Sequence, residues 1–262
     1  MNATLKPNAL PAVLGRSVAL LGLAGLFLVV TRVISDVSFA LAGRIYPAWS
    51  RLDPDGAFLY ITLHHVFQAA LAFAVILALA KALRLSLANF GFNTNQWRYA
   101  VKRVLQFCGA WFILQGSIAT AMMLSGTTPA PFPFPLSAAN FGDHFLFQVL
   151  LSGTSEEILY RSLVITSMLA LGRKLGYGEK TNVTLAVIVV TVCFMFGHVN
   201  FELNPFRITY FNWLQQVTVV IFGLFYAFLF VRTRSLVGPI LAHNLLNGVV
   251  VTISLLVILI FG

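Results

Sequence analysis

The sequence predicts an all-α integral membrane protein: a polytopic bundle of about seven transmembrane helices, with eight as the alternative count, around a polar intramembrane cavity. Three observations predict it. Hydrophobic residues make up 59% of the 262-residue chain and charged residues only 10%, with a mean hydropathy of +0.88, far from the balance of a soluble domain. Apolar runs long enough to cross a hydrocarbon core of about 30 Å, roughly 20 helical residues each, recur along the whole chain. The short alternating segments of a membrane barrel are absent, and lipid leaves a spanning backbone no other choice than the helix.

The elements follow in order. Residues 15–34 read as a first span, with Lys6 and Arg16 before its apolar run from Ser17 to Thr31. Ala40-Leu41-Ala42 has the small-residue pattern of a signal cleavage site, but Arg32 and Asp36 intervene and the chain continues as a bundle. A retained first span is therefore expected. Further spans are read over 57–80, 104–125, 144–171, 182–201, 213–231 and 236–261. Between the third and fourth, TTPAPFPFP cannot continue a helix and reads as an extended connector. No internal repeat or separate soluble domain interrupts the series, so residues 1–262 read as a single membrane domain.

The net charge of +9 does not point to nucleic acid, because the basic residues lie in short loops and form no long basic tract. They read as topology signals. Twelve of the 17 Lys and Arg residues fall on the side of the N-terminus, four on the other, and Arg161 lies inside a span. The bias places the N-terminus in the cytoplasm and, with seven spans, the C-terminus outside. Cys108 and Cys193, both in apolar runs, make neither a disulfide framework nor a paired-cysteine metal motif.

An ionisable group inside a span costs at least a few kcal/mol and is a functional candidate by default. Glu156, Glu157 and Arg161 lie in the fourth span, His198 ends the fifth, and His243 and Asn247 lie in the seventh. Glu157 and Arg161 are i, i+4 neighbours with the carboxylate N-terminal to the cation, so they neutralise each other. Glu156, about 100° further around the helix, is left without that partner and is the candidate general base. His243 and Asn247 share one helix face, as do Phe194 and His198. Singly, each has a blander reading: a structural ion pair, a histidine satisfied near a span end, an asparagine acting as interhelical glue. His64 and His65 read as interfacial, and Asp143 and His144 as markers of a span boundary. Together, a glutamate and a histidine to activate water, and a histidine and an amide to hold an oxyanion, are the parts of amide hydrolysis. Two histidines and a glutamate also make a hydrolytic zinc set, but no HExxH helix is present and an amide is a poor zinc ligand. No metal or cofactor is therefore expected.

Three motifs occur in order on successive segments: EExxxR at Glu156-Glu157 to Arg161, FxxxH at Phe194 to His198, and HxxxN at His243 to Asn247. With the block FGLFYAFLFVRTRSLVGPILAHNLLNG, they resemble the CAAX protease and bacteriocin-processing (CPBP, or Abi) family of intramembrane proteases, which includes the Ras-converting CAAX endopeptidase. The resemblance covers residues 145–250. It implies that Glu156 and His198 activate water, that His243 and Asn247 form the oxyanion hole, and that Glu157, Arg161 and Phe194 shape the site or receive substrate. It also implies a glutamate-type, metal-independent peptidase, and a bacterial or archaeal cytoplasmic membrane as its setting. The expected partners are a membrane-associated peptide or protein substrate and the lipid bilayer. The alternative is a transporter or scaffold in which Glu156 and the histidines carry protons or bind an ion; an amide such as Asn247 gains such a relay nothing. One geometric tension accompanies the reading: by residue count His243 lies near one end of its span and His198 near the opposite end of its own.

Overall fold

A computed structural model describes residues 9–262, with side chains from residue 15 onward; Lys6 lies outside the described residues. Seven helices account for most of them. They are α1 (Ala9–Trp49), α2 (Leu59–Leu83), α3 (Trp97–Leu124), α4 (residues 138–174), α5 (Glu179–Gly197), α6 (Trp213–Thr233) and α7 (Val237–Phe261). Six of them are long and apolar enough to cross a membrane. The exception is α4, whose continuous course is divided by π-helical stretches at Gln148–Ser152 and Ile158–Ile165. The chain is an all-α integral membrane bundle.

Local chemistry sets the boundaries. Arg32 pairs with Asp36 one turn on, at 2.9 Å, which lets α1 run past the expected end at residue 34 as far as Trp49. The buried carboxylate of Asp53 accepts the N–H groups of Ala57, Phe58 and Leu59 at 2.7–2.9 Å and so caps the start of α2. Ser137 and Asn212 cap α4 and α6 in the same way. The proline-rich segment before α4 forms no helix, as the sequence predicts.

One element departs from the sequence reading. Beyond α5 the chain forms an antiparallel hairpin, β1 (Asn200–Leu203) and β2 (Phe206–Tyr210), where the sequence places only a span end and a loop. Its strands are tied by the Glu202–Arg207 ion pair. Nine residues of unpatterned, largely exposed chain carry no periodicity long enough to announce it.

The core is built around α4. Leu159, Leu163, Val164, Ile165 and Met168 are completely buried, enclosed by α2, α5, α6 and α7, while α1 covers α2 and α5, and α3 lies along α7. A loop segment completes the packing. Phe90 enters the core, and its carbonyl accepts the Ser162 hydroxyl at 2.6 Å. The following residues bind the α6–α7 turn: Leu236 N–H donates to the Gly91 carbonyl, Asn93 to Arg234, and Ser235 to Asn93, at 2.6–2.9 Å.

Gly91 has a left-handed φ of +89°, and a Cβ there would lie 2.6 Å from the Phe230 ring and 3.3 Å from the Leu236 nitrogen. Gly91→Ala is therefore expected to lower the thermal unfolding midpoint in detergent, by an amount equivalent to about 1–3 kcal/mol. Gly109→Ala, where nothing lies within 4 Å, should leave it unchanged; equal midpoints for the two variants would refute the locking role of the loop.

Candidate active site

Glu156 and Glu157 stand on the short α-helical stretch Gly153–Glu157 between the two π segments of α4. A π turn carries an extra residue and shifts the helix face that follows it, a device common at functional sites. Gly153 brings α7 close: a Cβ there would sit 2.6 Å from His243 Cβ and from Asn244 Oδ1. Gly248, where a Cβ would meet Val149 at 2.9 Å, does the same lower on that interface.

The predicted Glu157–Arg161 pair is present, at 3.1 Å with both side chains fully buried. The second oxygen of Glu157 accepts a hydrogen bond from His243 Nδ1 at 2.8 Å, a partner that helical spacing could not supply. The result is a buried chain, Arg161–Glu157–His243. Its cationic end lies over the Phe194 ring, 4.5 Å from the centroid, and over Tyr226 at 5.2 Å, and Arg161 Nη2 donates to the Gly223 carbonyl at 3.1 Å. Gly223 leaves the space: a Cβ would be 3.0 Å from Phe194. Tyr226 also stacks on the imidazole of His243, centroids 4.8 Å apart.

Because an ionised carboxylate can only accept, Nδ1 of His243 carries a proton. Nε2 then faces Glu156, whose Oε2 lies 3.8 Å away. That is too long for a direct bond, and Glu156 Oε2 has no hydrogen-bond partner. Glu156 is thus the partly exposed, uncommitted carboxylate of the pair and Glu157 the committed one. His198, just past the end of α5, donates from Nδ1 to the Phe194 carbonyl at 2.9 Å, which leaves its Nε2 a proton acceptor. Phe194 lies edge-on to both imidazoles, 4.8 Å from His198 and 5.9 Å from His243. Asn247 donates to the Ser152 hydroxyl at 3.2 Å, so it faces α4 one turn below His243.

The tension in depth resolves through α7. At 1.5 Å per residue, His243 is about 9 Å from the start of α7, whereas Glu157 is about 25 Å from the end of α4, yet the two are hydrogen-bonded. The α6–α7 turn is recessed into the bundle, with Ser235 and Leu236 buried and its backbone bonded to residues 91–93.

His64 and His65 are not interfacial, as read from the sequence, but buried. Adjacent helix residues point about 100° apart, and α2 lies between two neighbours. His64 stacks on Phe39 of α1, while His65 Nδ1 bonds the hydroxyl of Ser155, the residue before Glu156. Two adjacent histidines in an apolar run were the available signal. His144 donates to the Ala57 carbonyl at 3.1 Å and marks the start of α4 against the α2 cap. Among the described residues, no three His, Cys, Asp or Glu side chains come together as a metal-ligand set. A cavity of about 490 Å³ lies between α1, α5 and β1 and borders this cluster at Tyr160 and Gly197.

Removing one member of a buried ion pair strands the other. Arg161→Ala is expected to destabilise the protein by about 3–5 kcal/mol, and Arg161→Lys to restore only part of that, lacking the planar contacts with Phe194 and Tyr226. Thermal unfolding measures both; a midpoint for Arg161→Ala equal to wild type would show that the ion chain does not support the bundle.

No curated protein and no solved structure matches the chain. Residues 140–249, the stretch that holds every predicted site residue, match the family model described as Type II CAAX prenyl endopeptidase Rce1-like.

Proposed function

We propose that this protein is an intramembrane endopeptidase of the glutamic type, cutting a peptide bond in a membrane-associated peptide or protein with water activated by Glu156 and His198. The observation that carries the reading is the division of labour between adjacent carboxylates. Glu157 is held by Arg161 and His243, and Glu156 faces His243 Nε2 with an oxygen that has no partner. The family match supports peptidase chemistry.

In this reading Glu156 takes a proton from water as the water attacks the carbonyl. His198, its free nitrogen an acceptor, helps to orient that water. The developing oxyanion is met by His243, protonated on Nε2 and steadied by Glu157, and by the Asn247 amide. Collapse of the tetrahedral intermediate returns the proton from Glu156 to the leaving amine. Arg161 balances the charge of Glu157, and Phe194 separates and orients the two imidazoles. No step calls for a metal ion. The bias of basic residues supports a cytoplasmic N-terminus, and the unbroken series of spans supports reading residues 1–262 as one membrane domain.

The test uses purified protein in vesicles with two internally quenched peptides, one farnesylated at a CAAX cysteine and one unlipidated. Glu156→Ala is expected to lower kcat/KM about 10²–10⁴-fold, His243→Ala about 10²–10³-fold, and a chelator to change nothing. Cleavage unaffected by Glu156→Ala would overturn the proposed base, and chelator-sensitive cleavage would overturn the metal-free mechanism.

A further inference from the structure

The polar side chains that α2 sends toward α4 lie outside the segment matched to the family and outside the mechanism above. They form a connected series. Ser155 Oγ is bonded by His65 Nδ1 and by Gln68 Nε2, the latter at 3.3 Å. The same hydroxyl donates to the Ser152 carbonyl at 3.2 Å. Ser152 Oγ in turn accepts from Asn247 Nδ2 at 3.2 Å. His65, Gln68, Ser152 and Ser155 are all buried.

The bonding capacity of a hydroxyl fixes the directions. Ser155 has one proton and two lone pairs. The proton goes to the Ser152 carbonyl, and the amide of Gln68 can only donate, so His65 donates as well, from Nδ1. Every site on the Ser155 oxygen is then filled. This matters because Ser152 ends the π-helical stretch Gln148–Ser152, where the regular backbone ladder is broken and a carbonyl is freed for side-chain partners. The carbonyl that steadies this turn and the hydroxyl that holds Asn247 belong to the same residue.

We propose that His65 and Gln68 are positioning residues that act through Ser155 and Ser152 to aim the Asn247 amide alongside His243. Neither touches the reacting atoms. A hydroxyl free to rotate would let Asn247 swing toward other acceptors; a hydroxyl on a pinned turn holds it on the α4 side of α7. The inference rests on the proposed role of Asn247, and its test separates the two.

Kinetics with the same two peptides, together with thermal unfolding, compare His65→Leu, His65→Gln, Ser152→Ala, Asn247→Ala and the double variant Ser152→Ala/Asn247→Ala. Outer partners of this kind typically contribute about 10–100-fold. His65→Leu and Ser152→Ala are expected to lose that factor in kcat with KM within about two-fold of wild type, as for an interaction made only in the transition state. His65→Gln keeps a donor for Ser155 and should recover most of the rate. The double variant should be no slower than Asn247→Ala alone, since the serine acts through the amide. The unfolding midpoint follows the same pattern, Ser152→Ala adding nothing once Asn247 is gone, and that readout holds even if neither peptide is cut. Additive losses in rate or midpoint, or full activity in Ser152→Ala alongside an impaired Asn247→Ala, would overturn the positioning role while leaving the peptidase reading intact. Full activity in Asn247→Ala would overturn both the oxyanion assignment and this inference.

Discussion

The carboxylate of Glu157, clamped between a guanidinium and an imidazole, is the interaction on which the rest of this bundle depends. A lone charge in so buried a position costs several kcal/mol, a large share of the net stability of a protein, so its neighbours are dictated by it. Arg161 must be close enough to balance it, which the i, i+4 spacing achieves. The guanidinium must itself be covered, which Phe194, Tyr226 and the Gly223 carbonyl achieve. His243 must approach within hydrogen-bond range from another helix, and this is possible only because Gly153 has no side chain where α7 passes.

The same arrangement explains why two adjacent glutamates are needed where one would serve for charge balance. Consecutive residues on a helix point about 100° apart, so a single carboxylate cannot satisfy a buried cation and also face an open position. The doublet divides these tasks. Glu157 spends one oxygen on His243 and the other on the Arg161 ion pair, while Glu156, rotated away on a partly exposed side chain, keeps a buried oxygen without a hydrogen bond. The π segments on either side let α4 place that doublet without carrying the helix phase of its flanks through the site.

Much of this was legible in the sequence, and the boundary of legibility has a physical cause. Periodicity reports what happens within one helix: the Glu157–Arg161 pair, the shared faces of Phe194 with His198 and of His243 with Asn247, and the helical character of the chain all follow from 3.6 residues per turn. How neighbouring helices are rotated and offset against one another is not a periodic property. The second partner of Glu157 therefore went unread, as did the burial of His64 and His65, which depends on α2 being covered on two sides. The π segments were invisible because one inserted residue leaves hydrophobic patterning almost unchanged. The hairpin after α5 was invisible because its residues are exposed and follow no apolar alternation. The full length of α1 was not legible because Arg32 and Asp36 interrupt its apolar run, yet cancel each other in the folded helix.

The recessed start of α7 shows how the bundle brings a residue near the beginning of a helix into register with the middle of another. Ending a helix deep inside a membrane protein leaves backbone groups unpaired, which lipid cannot tolerate but protein can. Here the loop at Phe90 to Asn93 supplies the missing partners. It bonds Leu236, Ser235 and Arg234 directly, and it is anchored to α4 by Ser162. The segment that does this lies between α2 and α3, before the part of the chain that matches the family model, as do the α2 side chains that reach Ser155. The matched segment holds Glu156, Glu157, His198 and His243, and the chain before it supplies the side chains and backbone groups that bond to Ser155 and to the α6–α7 turn.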